Sequence, residues 1–104
     1  MLKISDELES YMVDLFPEET KENKIKRLIE NELRRRLARY HLTVRILEAK
    51  YQMDFNSFQK NRVVEQRGYS FEVENDFCEW EMAIDGIATM ERKLKKLQES
   101  SHEH

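Results

Sequence analysis

Apolar residues recur along this chain at steps of three and four. Ile25, Leu28 or Ile29, Leu33, Leu37, Tyr40, Val44, Leu47 and Tyr51 form one such series, with no Gly or Pro among them. Steps of three and four keep side chains on one face of a helix with 3.6 residues per turn. The spacing predicts a helix over 21–51, opened by Thr20 as its cap. A second series, Val73, Phe77, Trp80, Ile84, Ile87 and Leu94, is flanked by Met90 and Leu97. It predicts a helix over 70–97, with Ser70 as its cap. Gly86 falls inside this helix, where it costs about 1 kcal/mol relative to Ala. Ala83, Gly86 and Met90 share a face, which predicts a close approach by another helix there.

The shorter elements follow from punctuation. Ser5-Asp6-Glu7-Leu8 reads as a helix start, Leu8, Met12 or Tyr11, and Leu15 continue it, and Pro17 stops it near Phe16. Residues 1–4 read as extended. Asp54 can cap a short helix carrying Phe55 and Phe58, and 61–68 reads as a connector with Gly68 at its turn. Residues 100–104 read as a frayed tail. The expected fold is all-α, in one domain over 1–99: two long antiparallel amphipathic helices plus short ones. In that arrangement the acidic start of the last helix lies beside Arg39 and Arg45. A lone hairpin is too small to cover both stripes, the first helix and the Phe55/Phe58 pair. A homodimer is therefore expected, with Leu33, Leu37, Val44, Ile84 and Ile87 in its interface.

Composition supports the helical reading. The 104 residues are 38% charged and include two Gly and one Pro, which suits helices and not turn-rich sheets. Hydrophobic residues reach 39%, enough for a modest core. No apolar run approaches the roughly 18 residues of a membrane span, so a soluble, cytoplasmic protein is expected. The lone Cys78 excludes an internal disulfide and a cysteine-based zinc site, and is expected to be a small buried hydrophobe.

The net charge of −3 conceals segregation. Residues 1–20 hold six acids and one Lys, 21–50 hold ten basic residues and four acids, and 70–91 hold seven acids and no base. Blocks of this kind either steer a charged partner or face one another inside the fold. Catalytic patterns are scarce: there is no Gly-rich phosphate loop, no Ser–His–Asp set and no zinc spacing, so no catalytic residue, metal ligand or cofactor is expected. Arg36 and His41 do form an Arg-x4-His spacing. It resembles the motif of HEPN-domain ribonucleases, small all-helical proteins, and implies RNA cleavage; a solvated basic helix face is the plainer reading.

The N-terminal 40 residues carry a second resemblance. Leu2-Lys3-Ile4, then Ser5-Asp6-Glu7-Leu8 to Leu15, then Lys24-Ile25, Leu28-Ile29 and Leu33 resemble a ribbon-helix-helix unit. Many antitoxins of prokaryotic toxin–antitoxin pairs belong to that family. The resemblance implies a dimer, a strand that reads DNA, and a C-terminal extension, here 52–99, that blocks a toxin. An ordinary bundle helix behind a strand-like leader is the alternative. Lys3 is the one basic side chain of that strand, so DNA binding by the protein alone is expected to be weak.

Residues 69–81 mix aromatics and acids. A basic protein, such as an RNA-cleaving toxin, is the expected partner, anchored by Tyr69 and Phe71 and steered by Glu72, Asp76 and Glu79. The plainer reading makes Val73, Phe77 and Trp80 a core stripe with a solvated acidic face. A structural helical dimer or adaptor is the competing function.

Overall fold

The computed structural model describes residues 6–15 and 20–102. About 89% of the described residues are helical, and none is in a strand. The elements are α1 (Asp6–Leu15), α2 (Lys21–Tyr51), α3 (Phe55–Lys60), α4 (Val63–Gln66) and α5 (Phe71–His102). The expected N-terminal strand, Lys3 and Pro17 lie outside the described residues. No helix among the described residues is long and apolar enough to cross a membrane.

All three caps expected from 20 onward are present. The Thr20 hydroxyl accepts from the Asn23 N–H at 3.2 Å, the Asp54 carboxylate from Ser57 N–H at 2.7 Å, and the Ser70 hydroxyl from Val73 N–H at 3.3 Å. Each satisfies an amide that the first helical turn leaves without an intrahelical acceptor. The Asp54 carboxyl sits below its ordinary pKa because it accepts that backbone bond.

The chain resolves into two compact units, residues 1–32 and 33–104. In the first, Lys21 at the start of α2 pairs with Glu9 of α1, and Lys26 pairs with Glu22 one turn away at 3.7 Å. Leu8, Tyr11 and Leu15, the apolar stripe of α1, are 55%, 58% and 64% exposed.

In the second unit, α2 and α5 run antiparallel. Tyr51 meets Asp76 and Trp80, while Tyr40 lies against Gly86, so numbers fall along one helix as they rise along the other. This register sets the acidic start of α5 beside Lys50, and corrects the expectation of Arg39 and Arg45. Those arginines lie at least one full turn short of the helix end that the acids reach.

Two turns fold the connector back over the open end of this pair. Gln52 takes a left-handed conformation (φ 54°), and Met53 N–H donates to the Glu48 carbonyl. Gly68 does the same at φ 66°, with Tyr69 N–H donating to Val64 O at 2.9 Å. Both are the six-to-one bond that ends a helix on a left-handed residue. Part of the connector, 63–66, is itself a helical turn, where a plain loop was expected.

These turns bring α3 onto the helix pair. Leu47, Tyr51, Phe58, Val63, Val73 and Trp80 form the core, with Val44, Met53, Phe55, Val64 and Phe77 packed against it. Phe58 and Trp80 are fully buried. The Phe58 ring lies 4.9 Å from Tyr51, 5.1 Å from Trp80 and 6.3 Å from Phe77, centroid to centroid. Offset and edge-on rings at such distances add to what burial contributes. The expectation that Phe58 needs a second chain to cover it is therefore corrected: one chain buries it.

Candidate partner-binding groove

Beside the aromatic core lies a groove of about 530 Å³ between α3–α4 and the first turns of α5. Phe58, Val63, Val64 and Phe77 make its apolar floor, and Arg62, Glu65, Tyr69, Glu74 and Cys78 its rim. The local sequence explains the shape. Arg62 sits in the left-handed region at φ 52°, as does Tyr69 at φ 56°, so the chain turns sharply at both ends of α4. Phe58 and Val63 are buried beneath this floor, and half-buried Val64 and Phe77 are its open part. Arg62 Nε pairs with Glu65 at 3.4 Å, which leaves Glu74 as the rim acid without an opposite charge on the rim.

The expected partner residues divide over different sides of α5. Tyr69 lines the groove and is 58% exposed. Phe71 is 87% exposed and points outward, one side with Cys78 and Met82 at steps of seven and four. Cys78 is exposed, which corrects the reading of it as a buried hydrophobe. Glu72, Asp76 and Glu79 fall on the side turned toward α2. Glu72 is exposed but bonded to Lys50, and Glu79 accepts from Asn75 at 3.4 Å.

Asp76 is not a rim acid at all. It is buried, and its Oδ2 accepts from the Tyr51 hydroxyl at 2.5 Å and from Lys50 Nζ at 2.7 Å. Burial acts to raise the Asp76 pKa, but the Lys50 and Tyr51 bonds outweigh it and hold the carboxyl below its ordinary value. The Tyr51 hydroxyl is pushed up to about 12, by burial first and by its bond to Asp76 second. Bonds to Asp76 and Glu72 hold Lys50 well above the usual lysine range. The Arg67 guanidinium lies 5.3 Å from the Tyr51 ring centroid and closes the cluster. Lys50, Glu72 and Asp76 neutralise one another within the chain, so this set latches the end of α5 to the end of α2.

The remaining expected residues are placed as follows. Leu33, Leu37, Val44 and Ile87 are half-buried and Ile84 is 36% exposed. Val44 and Ile84 border a smaller hollow with Trp80 and Phe55. Arg36 and His41 are both exposed on α2, five residues apart, which separates them by about 140° around the helix axis. A single copy does not bring them together. Among the described residues, no three His, Cys, Asp or Glu side chains gather as metal ligands.

Sequence reasoning missed the groove because 61–68 reads as a connector, so Arg62, Val63, Val64 and Glu65 drew no attention. The adjacent Val63-Val64 pair in an otherwise polar stretch was the available signal. No protein-family model, curated protein or solved structure matches this chain.

Proposed function

We propose that this chain is a protein-binding module of antitoxin-like kind. It works by seating an apolar, basic segment of a partner protein in the groove between α3–α4 and α5. The observation that carries the reading is an apolar floor beside one rim acid, Glu74, that has no opposite charge on the rim. Half-buried Val64 and Phe77 supply the open apolar surface above buried Phe58 and Val63, and Glu74 is the rim acid that Arg62 does not pair. Tyr69 at the mouth and Phe71 beside it are large aromatics left 58% and 87% exposed. Exposed aromatics next to an apolar pocket are the side chains that dominate binding energy at protein interfaces. Of the seven acids over 70–91, Lys50 engages Glu72 and Asp76; exposed Glu74, Glu79, Glu81, Asp85 and Glu91 supply the long-range attraction for a basic partner. Neutralising an RNA-cleaving toxin is the activity this chemistry suits best, because such a partner presents a basic surface. Operator binding by the N-terminal segment, with Lys3 as its contact, is the autoregulatory part of the same reading.

The test uses the product of the gene adjacent to the one encoding this chain. Titration with that protein is expected to give saturable binding. Glu74→Lys with Glu65→Lys should slow association and change its salt dependence. Phe71→Ala and Tyr69→Ala should each weaken binding by about 2 kcal/mol if they are anchors. Folded variants that bind as tightly as the parent, or no binding by the parent, would remove the groove from the account. The adaptor reading would then stand in its place.

A further inference from the structure

α2 has a second apolar face that the helix pair does not use. Tyr40, Val44, Leu47 and Tyr51 turn toward α5. Ala38, Leu42, Ile46 and Ala49, at steps of four, four and three, lie on the opposite side of the same helix, and all four are exposed. Leu42 is 49% and Ile46 57% exposed. Helical spacing sets Arg39 on one flank of this face and Arg45 on the other, both exposed. An apolar strip edged by arginines asks for an apolar strip edged by acids.

The chain itself contains one. α1 carries four acids, Asp6, Glu7, Glu9 and Asp14, and no Lys or Arg. Its exposed stripe of Leu8, Tyr11 and Leu15 recurs at steps of three and four, and Glu7 and Asp14 run along one edge of it, seven residues apart. Glu9, on the far side, pairs with Lys21. Both strips are exposed. Two arginine-edged faces of α2 would repel each other, as would two acidic α1 helices, so like-on-like pairing is disfavoured.

We propose that α1 of one copy packs on the outer face of α2 of a second copy. Leu8, Tyr11 and Leu15 cover Leu42 and Ile46, and the edge carrying Glu7 and Asp14 lies along one of the two arginine flanks. The exchange is taken to be reciprocal, each copy giving α1 and receiving its partner's, which makes two identical contacts in a dimer. This contact lies away from the α3–α4 groove and does not depend on the partner reading given above.

The test is sedimentation velocity of the full chain at tens of micromolar, at low and at high salt. A dimer that weakens as salt rises is expected, because exposed charge pairs are screened. Arg39→Glu with Arg45→Glu should weaken the dimer by roughly tenfold or more, and so should Glu7→Arg with Asp14→Arg. These are exposed positions, and circular dichroism checks that helix content is kept. Mixing the two variants should restore a dimer, since each then offers the charge that the other lacks, in both contacts. The proposal is overturned if the parent chain is monomeric, if neither reversal shifts its equilibrium, or if the mixture stays as weak as its components. A dimer indifferent to all four substitutions would point to the α2–α5 stripes instead. Failure of the groove variants to lose partner binding would leave this result untouched.

Discussion

Asp76 offers the sharpest test of how this fold is held. The residue is 8% exposed, and its carboxylate takes bonds from Tyr51 and Lys50. In Asp76→Asn the Tyr51 hydroxyl keeps an acceptor but loses an ionised one. Hydrogen bonds to charged groups are worth about 1.5–3 kcal/mol and neutral ones about 1, so the expected loss is about 1 kcal/mol. Asp76→Val removes the acceptor and strands a buried hydroxyl, and about 3 kcal/mol should be lost. In a domain of this size these changes correspond to drops in Tm of about 5 °C and of more than about 10 °C. The pH dependence has a definite sign. A carboxyl whose folded pKa lies below its ordinary 3.8 contributes stability above that value, and loses it as pH falls through the folded pKa. Asp54 acts in the same direction, so the difference between parent and Asp76→Asn is the quantity to read. Urea unfolding followed by the fluorescence of the single, fully buried Trp80 reports it. If Asp76→Asn matches the parent in both stability and acid slope, the latch is not holding α5 to α2 and the reasoning fails.

Three further outcomes follow from the core and its polar edge. Phe58→Ala should cost about 3–5 kcal/mol in the same assay, because the ring is fully buried among other aromatics; a cost below 1 would mean the cluster is loosely packed. Gly86→Ala should destabilise although Ala favours helix by about 1 kcal/mol, since the new Cβ would lie 2.5 Å from the Tyr40 ring. In a Tyr40→Ala background the same change should become stabilising, and a thermal melt that shows no reversal of sign would refute the close approach. Tyr51→Phe should flatten the alkaline limb: a phenol raised from 10.0 to about 12 stabilises the fold below 10.0, and that stability is lost as pH rises toward 12. An unchanged alkaline slope would show that the phenol titrates freely.

Much of the secondary structure could be read without coordinates. The series from Ile25 to Tyr51 and from Val73 to Leu97 led to helices whose observed bounds are Lys21–Tyr51 and Phe71–His102. Unbroken three-four spacing and local caps at Thr20, Asp54 and Ser70 are properties of neighbours in sequence, so they need no tertiary knowledge. Gly86 as a place of close helix approach was readable for the same reason: a glycine on an apolar helix face has few other uses. The left-handed residues Gln52, Arg62 and Tyr69 were not readable, because each has a side chain that ordinarily avoids that region.

The candidate site was legible in part. Tyr69 was picked out by its place among acids, and it lines the groove. Glu72, Asp76 and Glu79 were picked out by the same pattern, yet they turn toward α2, where Lys50 and Tyr51 engage the first two. Which side of an acidic helix meets solvent depends on the register of its neighbour, and register is fixed by contacts far apart in sequence. What the sequence determined by itself was therefore local: helix type, caps, charge blocks, and the absence of an internal disulfide. Tertiary structure alone decided that Asp76 would be buried and Cys78 exposed, that Phe58 would be covered within one chain, and that a groove would open over Val63 and Val64. Each of these turns on how two left-handed turns aim α3 and α4 at α5. Backbone direction at such turns is settled by the packing it permits, not by the residues that make it.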